Sequence, residues 1–150
     1  MDTKFEDIVS EIKKTVDLFP DNIAIIEDGI PTLSYSQMWE DATCIANRLK
    51  EQCDSSEYVT VELPKSSRYI CAILGCWMAG KAFVPIGKDL PDSRKRYIEE
   101  TVDTNLSITE YNYDDFFKSQ PIDSVETLTA STPAYVIFSS GTTGKPKGIL

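Results

Sequence analysis

An α/β fold with a mostly parallel sheet and flanking helices is predicted by two features of this sequence. Short β-branched or apolar runs alternate with segments of helical apolar spacing, each about 10 to 15 residues long. Glycine or proline closes several of them, as at Pro64, Ala79-Gly80 and Pro91.

The elements follow in order. Phe5, Ile8, Val9, Ile12 and Val16 recur at helical spacing and predict an amphipathic helix ending before Phe19-Pro20. Ile23 to Ile26 and Thr32 to Ser34 flank Glu27-Asp28-Gly29, the pattern of a hairpin. Ser36 is the expected N-cap of a helix whose apolar face is Met38, Ala42, Ile45, Ala46 and Leu49. Tyr58 to Leu63 is a strand, and Ser66 or Ser67 caps the next helix. Its expected buried side is Tyr69, Ile70, Ile73, Leu74 and Trp77, and Ala79-Gly80 is its stop. Ala82 to Ile86 is a strand, Asp92-Ser93 opens a helix to about Thr101, and Leu106 to Thr109 is a further strand. A weak helix is expected near Asp114–Lys118. Ala134 to Phe138 reads as a buried strand.

Composition narrows the function. The chain has 150 residues, 41% hydrophobic and 26% charged, about the length of one soluble domain. Its 24 acids outnumber 15 bases, for a net charge of −9. With no long basic stripe, no nucleic-acid partner is expected. No apolar stretch approaches the roughly 20 residues that span a bilayer, and the acidic N-terminus is no secretory signal. A cytoplasmic protein without a membrane partner is expected. Cys44, Cys53, Cys71 and Cys76 lack zinc-site spacing and read as reduced thiols, three of them on helix faces. The absence of histidine removes Ser-His and Cys-His nucleophile pairs.

Ligands of parallel α/β sheets bind at loops leaving the carboxyl ends of strands. The loop after the last strand is Ser139-Ser140-Gly141-Thr142-Thr143-Gly144-Lys145-Pro146-Lys147-Gly148. Its ten residues hold four hydroxyls, three glycines and two lysines. Glycines let backbone N–H groups approach an anion, hydroxyls donate to phosphate oxygens, and lysine adds charge. No Asp or Glu follows Glu126, so the loop is locally positive. It is not a Walker loop, because Pro146 stands where the second glycine is needed. The dinucleotide pattern GxGxxG is also absent. Pro146 opposes an immediate helix, so the loop must act through its own backbone and side chains. On composition alone, a glycine-rich surface turn would serve as well.

The order of residues is more specific than the composition. Tyr135 through Gly148 resembles the glycine-rich signature of the adenylate-forming, or AMP-binding, superfamily, T-S-G-[ST]-T-G-x-P-K-G. Ser139 replaces the first hydroxyl and the other fixed positions match. Gly80 to Ile86, with Pro91 and Arg94, resembles the A-G-x-A-Y-V-P-[IL] segment of amino-acid-activating members of nonribosomal-peptide-synthetase type. Gly87 and Lys88 depart from its usual Asp-Pro. Leu33 to Met38 resembles the segment L-[ST]-Y-x-E-L. Both of these segments also have ordinary packing roles. The resemblance covers about residues 16 to 150, and implies the incomplete N-terminal part of a large adenylation-domain core.

It implies further that a carboxylate, an amino acid by preference, attacks the α-phosphate of ATP to give an acyl adenylate and pyrophosphate. A carrier thiol, such as a phosphopantetheinyl carrier protein, then accepts the acyl group. Ser139, Ser140, Gly141, Thr142, Thr143, Gly144 and Lys147 would hold the ATP phosphates, with Mg2+ alongside on ligands outside this chain. Residues 1–150 would be part of one adenylation domain cut after the phosphate loop, and inactive alone. Their catalytic residues are expected past Leu150. An incomplete sheet is expected to be marginally stable. Two alternatives stay open: a D-alanine–carrier-protein, aryl-acid or acyl-CoA ligase of the same superfamily, and a truncated non-catalytic binding protein.

Overall fold

A computed structural model describes residues 7–52, 56–118, 128, 131–139 and 147–149, the last three and residue 139 as backbone. Helix α1 (Ile8–Leu18) is capped by Asp7, which accepts from the Ser10 N–H. Strands β1 (Ile23–Glu27) and β2 (Ile30–Ser34) form the expected antiparallel hairpin. Asp28 and Gly29 turn it with positive φ, of 50° and 77°.

Helix α2 (Tyr35–Glu51) begins two residues earlier than a cap at Ser36 would place it. Ser34 is its N-cap, in a reciprocal box with Gln37: the Gln37 N–H donates to Ser34 Oγ at 3.2 Å, and the Ser34 N–H donates to Gln37 Oε1 at 2.9 Å. Ser36 lies inside the first turn. The expected apolar face, Met38, Ala42, Ile45, Ala46 and Leu49, is fully buried.

Strands β3 (Tyr58–Glu62), β4 (Ala82–Pro85) and β5 (Ser107–Thr109) form a parallel sheet in the order β4-β3-β5. Between them run α3 (Ser67–Met78) and α4 (Asp92–Val102), followed by a 3-10 helix at Tyr113–Lys118 in place of the weak helix expected there. Two further strands, β6 (Ile137–Ser139) and β7 (Lys147–Ile149), pair antiparallel. The α/β class with a parallel sheet and flanking helices is therefore as predicted.

Helix α3 corrects the sequence reading. Of the five residues expected inside, only Leu74 is buried, and Ile70 is 46% exposed. The buried face is instead Cys71, Ala72, Leu74, Gly75, Cys76 and Met78. Small side chains face α2 because the two helices approach closely. A Cβ on Gly75 would lie 2.6 Å from Ile45 Cγ2 and 3.1 Å from the Ala42 carbonyl oxygen. Ile70 is left exposed, and Tyr69 and Ile73 are only partly buried, which apolar periodicity does not foresee in a helix that is apolar nearly all round. Its N-terminus is also capped non-locally. Ser66 makes no side-chain cap, and the Ser67 N–H donates to the Glu27 carboxylate of the hairpin. That bond holds Glu27 below the usual carboxylate range.

The Gly75 contact has a direct test. Gly75→Ala should cost about 1–3 kcal/mol by overpacking, despite the higher helix propensity of alanine. Urea unfolding monitored by circular dichroism would show a lower midpoint with an unchanged slope.

Candidate functional site

The site is built from the edge of the sheet. Tyr135 bridges Phe83 in parallel register. The Phe83 N–H donates to the Ala134 carbonyl at 3.2 Å, and the Val136 N–H donates to the Phe83 carbonyl at 3.0 Å. The chain entering β6 therefore runs alongside β4, in the same direction as β3 and β5. The segments after β3, β4, β5 and β6 all leave the sheet at one edge, the ligand-binding edge of parallel α/β sheets.

Two clusters hold β6 there. On one side the Trp77 indole N–H donates to the Ala134 carbonyl at 2.8 Å. Trp77, Phe83 and Tyr135 follow in tilted ring contacts at 6.0 and 5.8 Å. On the other side Val84, Ile86, Ile98 and Val136 are buried together, with Phe138 packed against them. The strand is not buried on both faces as expected: Val136 is, while Tyr135 and Ile137 are 41% and 46% exposed. One covered face is what alternating side chains on a single supported strand produce.

Ser139 and Lys147 are cross-strand partners, next to the pairs Phe138↔Gly148 and Ile137↔Ile149. The ladder thus closes the loop between them and sets the backbones of two predicted phosphate-binding residues side by side. Ser140, Gly141, Thr142, Thr143 and Gly144 lie outside the described residues, as do Lys145 and Pro146.

The neighbouring loops are tied by charge. Lys95 of α4 pairs with Glu62 at the end of β3, with Nζ–Oε1 at 2.5 Å, and its Nζ also donates to the Lys88 carbonyl at 3.2 Å. Lys88 pairs with Glu110 at 2.9 Å, joining the loops after β4 and β5. Hydrogen bonding to these carboxylates raises both lysines above their ordinary range. Lys88, one of the two departures from the family segment, thus has a tie of its own. The Gly87 carbonyl accepts from the Leu90 N–H at 3.2 Å, and a Cβ on Gly87 would meet only Leu90 Cγ at 3.6 Å. No local pattern announces the two ion pairs, because each joins residues far apart in the chain.

Two further features are a groove and a set of buried thiols. A groove of about 820 Å3 between the hairpin and α3 has walls that include Ile25, Ile26, Met38, Tyr69, Ile70 and Ile73. Glu27, Asp28, Lys65 and Ser66 also line it, and Glu27 is engaged by the Ser67 N–H. Cys44, Cys71 and Cys76 are buried free thiols, and burial pushes Cys71 and Cys76 up to about 12. Neither can be an acyl-accepting thiolate near neutral pH. Cys53 lies outside the described residues. Among the described residues, no group of three or more Asp, Glu, His or Cys side chains could hold a metal ion, and no helix is long and apolar enough to cross a membrane.

Residues 12–150 match the family described as AMP-binding enzyme, and the chain belongs to that family. One of the relatives it matches is named a nonribosomal peptide synthetase, the type whose segment Gly80–Ile86 resembles. Surfactin synthase subunit 3 of Bacillus subtilis (strain 168) is 32% identical over 155 residues, covering 91% of this chain and 12% of that protein. The probable non-canonical nonribosomal peptide synthetase CymA of Salinispora arenicola (strain CNS-205) is 33% identical over 133 residues, covering 87% of this chain and 2% of that protein. The N-terminal subdomain of Klebsiella oxytoca NpsA, solved with 3-hydroxyanthranilyl-AMSN, has the same fold, with a TM-score of 0.84 at 20% identity over 97% of this chain and 40% of that one. The chain therefore spans a small part of the curated relatives it matches.

The thiols supply a prediction. Cys44, Cys71 and Cys76 should resist a maleimide at pH 8 in the native protein and label fully in urea, as mapped by peptide mass. Their folded pKa values lie above the unfolded ones, so the stability they contribute is present below about pH 8.5 and declines above it.

Proposed function

We propose that residues 1–150 are the N-terminal part of one adenylation domain, ending after its phosphate loop. The domain activates a carboxylate, by preference an amino acid, for transfer to a carrier thiol. The carboxylate oxygen bonds to the α-phosphorus of ATP, and the bond to the bridging α–β oxygen breaks. The products are an acyl adenylate and pyrophosphate. In this reading Ser139, Ser140, Gly141, Thr142, Thr143, Gly144 and Lys147 bind the β- and γ-phosphates, which leave together.

The observation that supports this most is the pairing of Ser139 with Lys147 at the end of a strand parallel to β4. It gives a glycine-rich, hydroxyl-rich loop a fixed base at the ligand-binding edge. The donor set fits a polyphosphate: hydroxyls, backbone N–H groups and lysine, with no carboxylate after Glu126 to repel it. Such groups act by neutralising charge on the leaving pyrophosphate. Mg2+ would share that charge when bound, on ligands outside this chain. The amino-acid preference rests on the Gly80–Ile86 segment, and the carrier partner on the family.

ATP–pyrophosphate exchange by the enzyme carrying this chain, tested across an amino-acid panel, measures the reading directly. Exchange should depend on one or a few amino acids, and Lys147→Ala should lower kcat/KM for ATP by about ten- to hundredfold. Unchanged exchange in that variant would remove Lys147 from the site. Exchange by residues 1–150 alone would contradict their assignment as a part of the domain.

A further inference from the structure

We propose that Tyr97 is a positioning residue for the base of the phosphate loop, acting through Phe138; this rests on the function proposed above. Tyr97 lies in the middle of α4, and its ring meets Phe138 edge-on, with centroids 6.5 Å apart and planes at 89°. Phe138 immediately precedes Ser139, and its backbone partner Gly148 immediately follows Lys147. A single ring contact therefore stands behind both ends of the loop.

Helix α4 can serve as a reference because it is also fixed to elements other than β6. Lys95 ties it to Glu62 of β3 and to the Lys88 carbonyl. Ile98 ties it to Val84 and Ile86 of the β4 segment. Tyr97 passes that fixed position on to a strand whose outer face is open, with Tyr135 and Ile137 exposed. Geometry, more than buried area, is what the ring supplies. An edge-on aromatic pair has a preferred angle set by ring quadrupoles, and an aliphatic side chain of similar size has none. Without the ring, Phe138 keeps its apolar surroundings but loses the contact that orients it. The backbones of Ser139 and Lys147 then sample more positions, and ATP must order them on binding. Phosphate binding should weaken more than carboxylate binding or turnover.

The test uses ATP–pyrophosphate exchange by the full enzyme with Tyr97→Leu, Tyr97→Phe, Phe138→Leu and the double leucine variant. Tyr97→Leu should raise KM for ATP and for pyrophosphate by about three- to tenfold, the worth of an aromatic pair. Its KM for the amino acid and its kcat should stay within about twofold of wild type. Tyr97→Phe should restore the wild-type KM for ATP, since the ring remains. The double variant should be no worse than the poorer single variant, because both remove one contact. If Tyr97→Leu does not fold, Phe138→Leu and Tyr97→Phe carry the same comparison. An unmoved KM for ATP, or equal rises in both substrate KM values, would overturn the proposal while wild-type exchange leaves the functional reading intact. No exchange by the wild type with any amino acid would overturn both.

Discussion

The backbone exchange at Phe83 holds the candidate site in the fold. Its N–H reaches the Ala134 carbonyl, and its own carbonyl accepts from Val136. These two bonds join the segment entering β6 to β4 and fix its direction. Direction matters because only a parallel strand delivers its following loop to the edge where β3, β4 and β5 end. Were β6 reversed, the same ten-residue loop would emerge at the opposite edge, away from the loops tied by Glu62, Lys88, Lys95 and Glu110.

The seam at Phe83 depends in turn on the close approach of α2 and α3. Gly75 lets Ile45 and the Ala42 backbone come near, which seats α3 against the core. Trp77, two residues further along α3, then lies where its indole N–H can reach the Ala134 carbonyl. A small residue at one helix contact thereby reaches the strand that carries the loop. Interior packing at close to crystalline density is what makes such a displacement felt at a distance.

Much of this was legible in the sequence, for local reasons. The strands at Tyr58–Glu62 and Ala82–Pro85 are short apolar runs closed by proline or a loop, and the apolar face of α2 has a clear helical period. The hydroxyls, glycines and lysines of Ser139–Gly148 carry their chemistry in their side-chain types. What was not legible joins distant parts of the chain. Ser-x-x-Gln at Ser34–Gln37 is itself a local cap signature, so the true start of α2 is written in the sequence two residues before Ser36. The capping of α3 by Glu27 spans 40 residues, and no local pattern announces it. The buried face of α3 escapes apolar periodicity because close packing against α2 selects small side chains over large ones. The roles of Trp77 and Tyr97 follow only from where β6 lands.

Amide hydrogen exchange tests the central claim, that β6 is held parallel to β4 through Phe83. The account predicts that the Phe83 and Val136 amides, which donate across the seam, are protected to nearly the same degree as the Thr60 and Ile86 amides of the parallel sheet. Exchange of Phe83 and Val136 at unprotected rates, with Thr60 and Ile86 still protected, would contradict it.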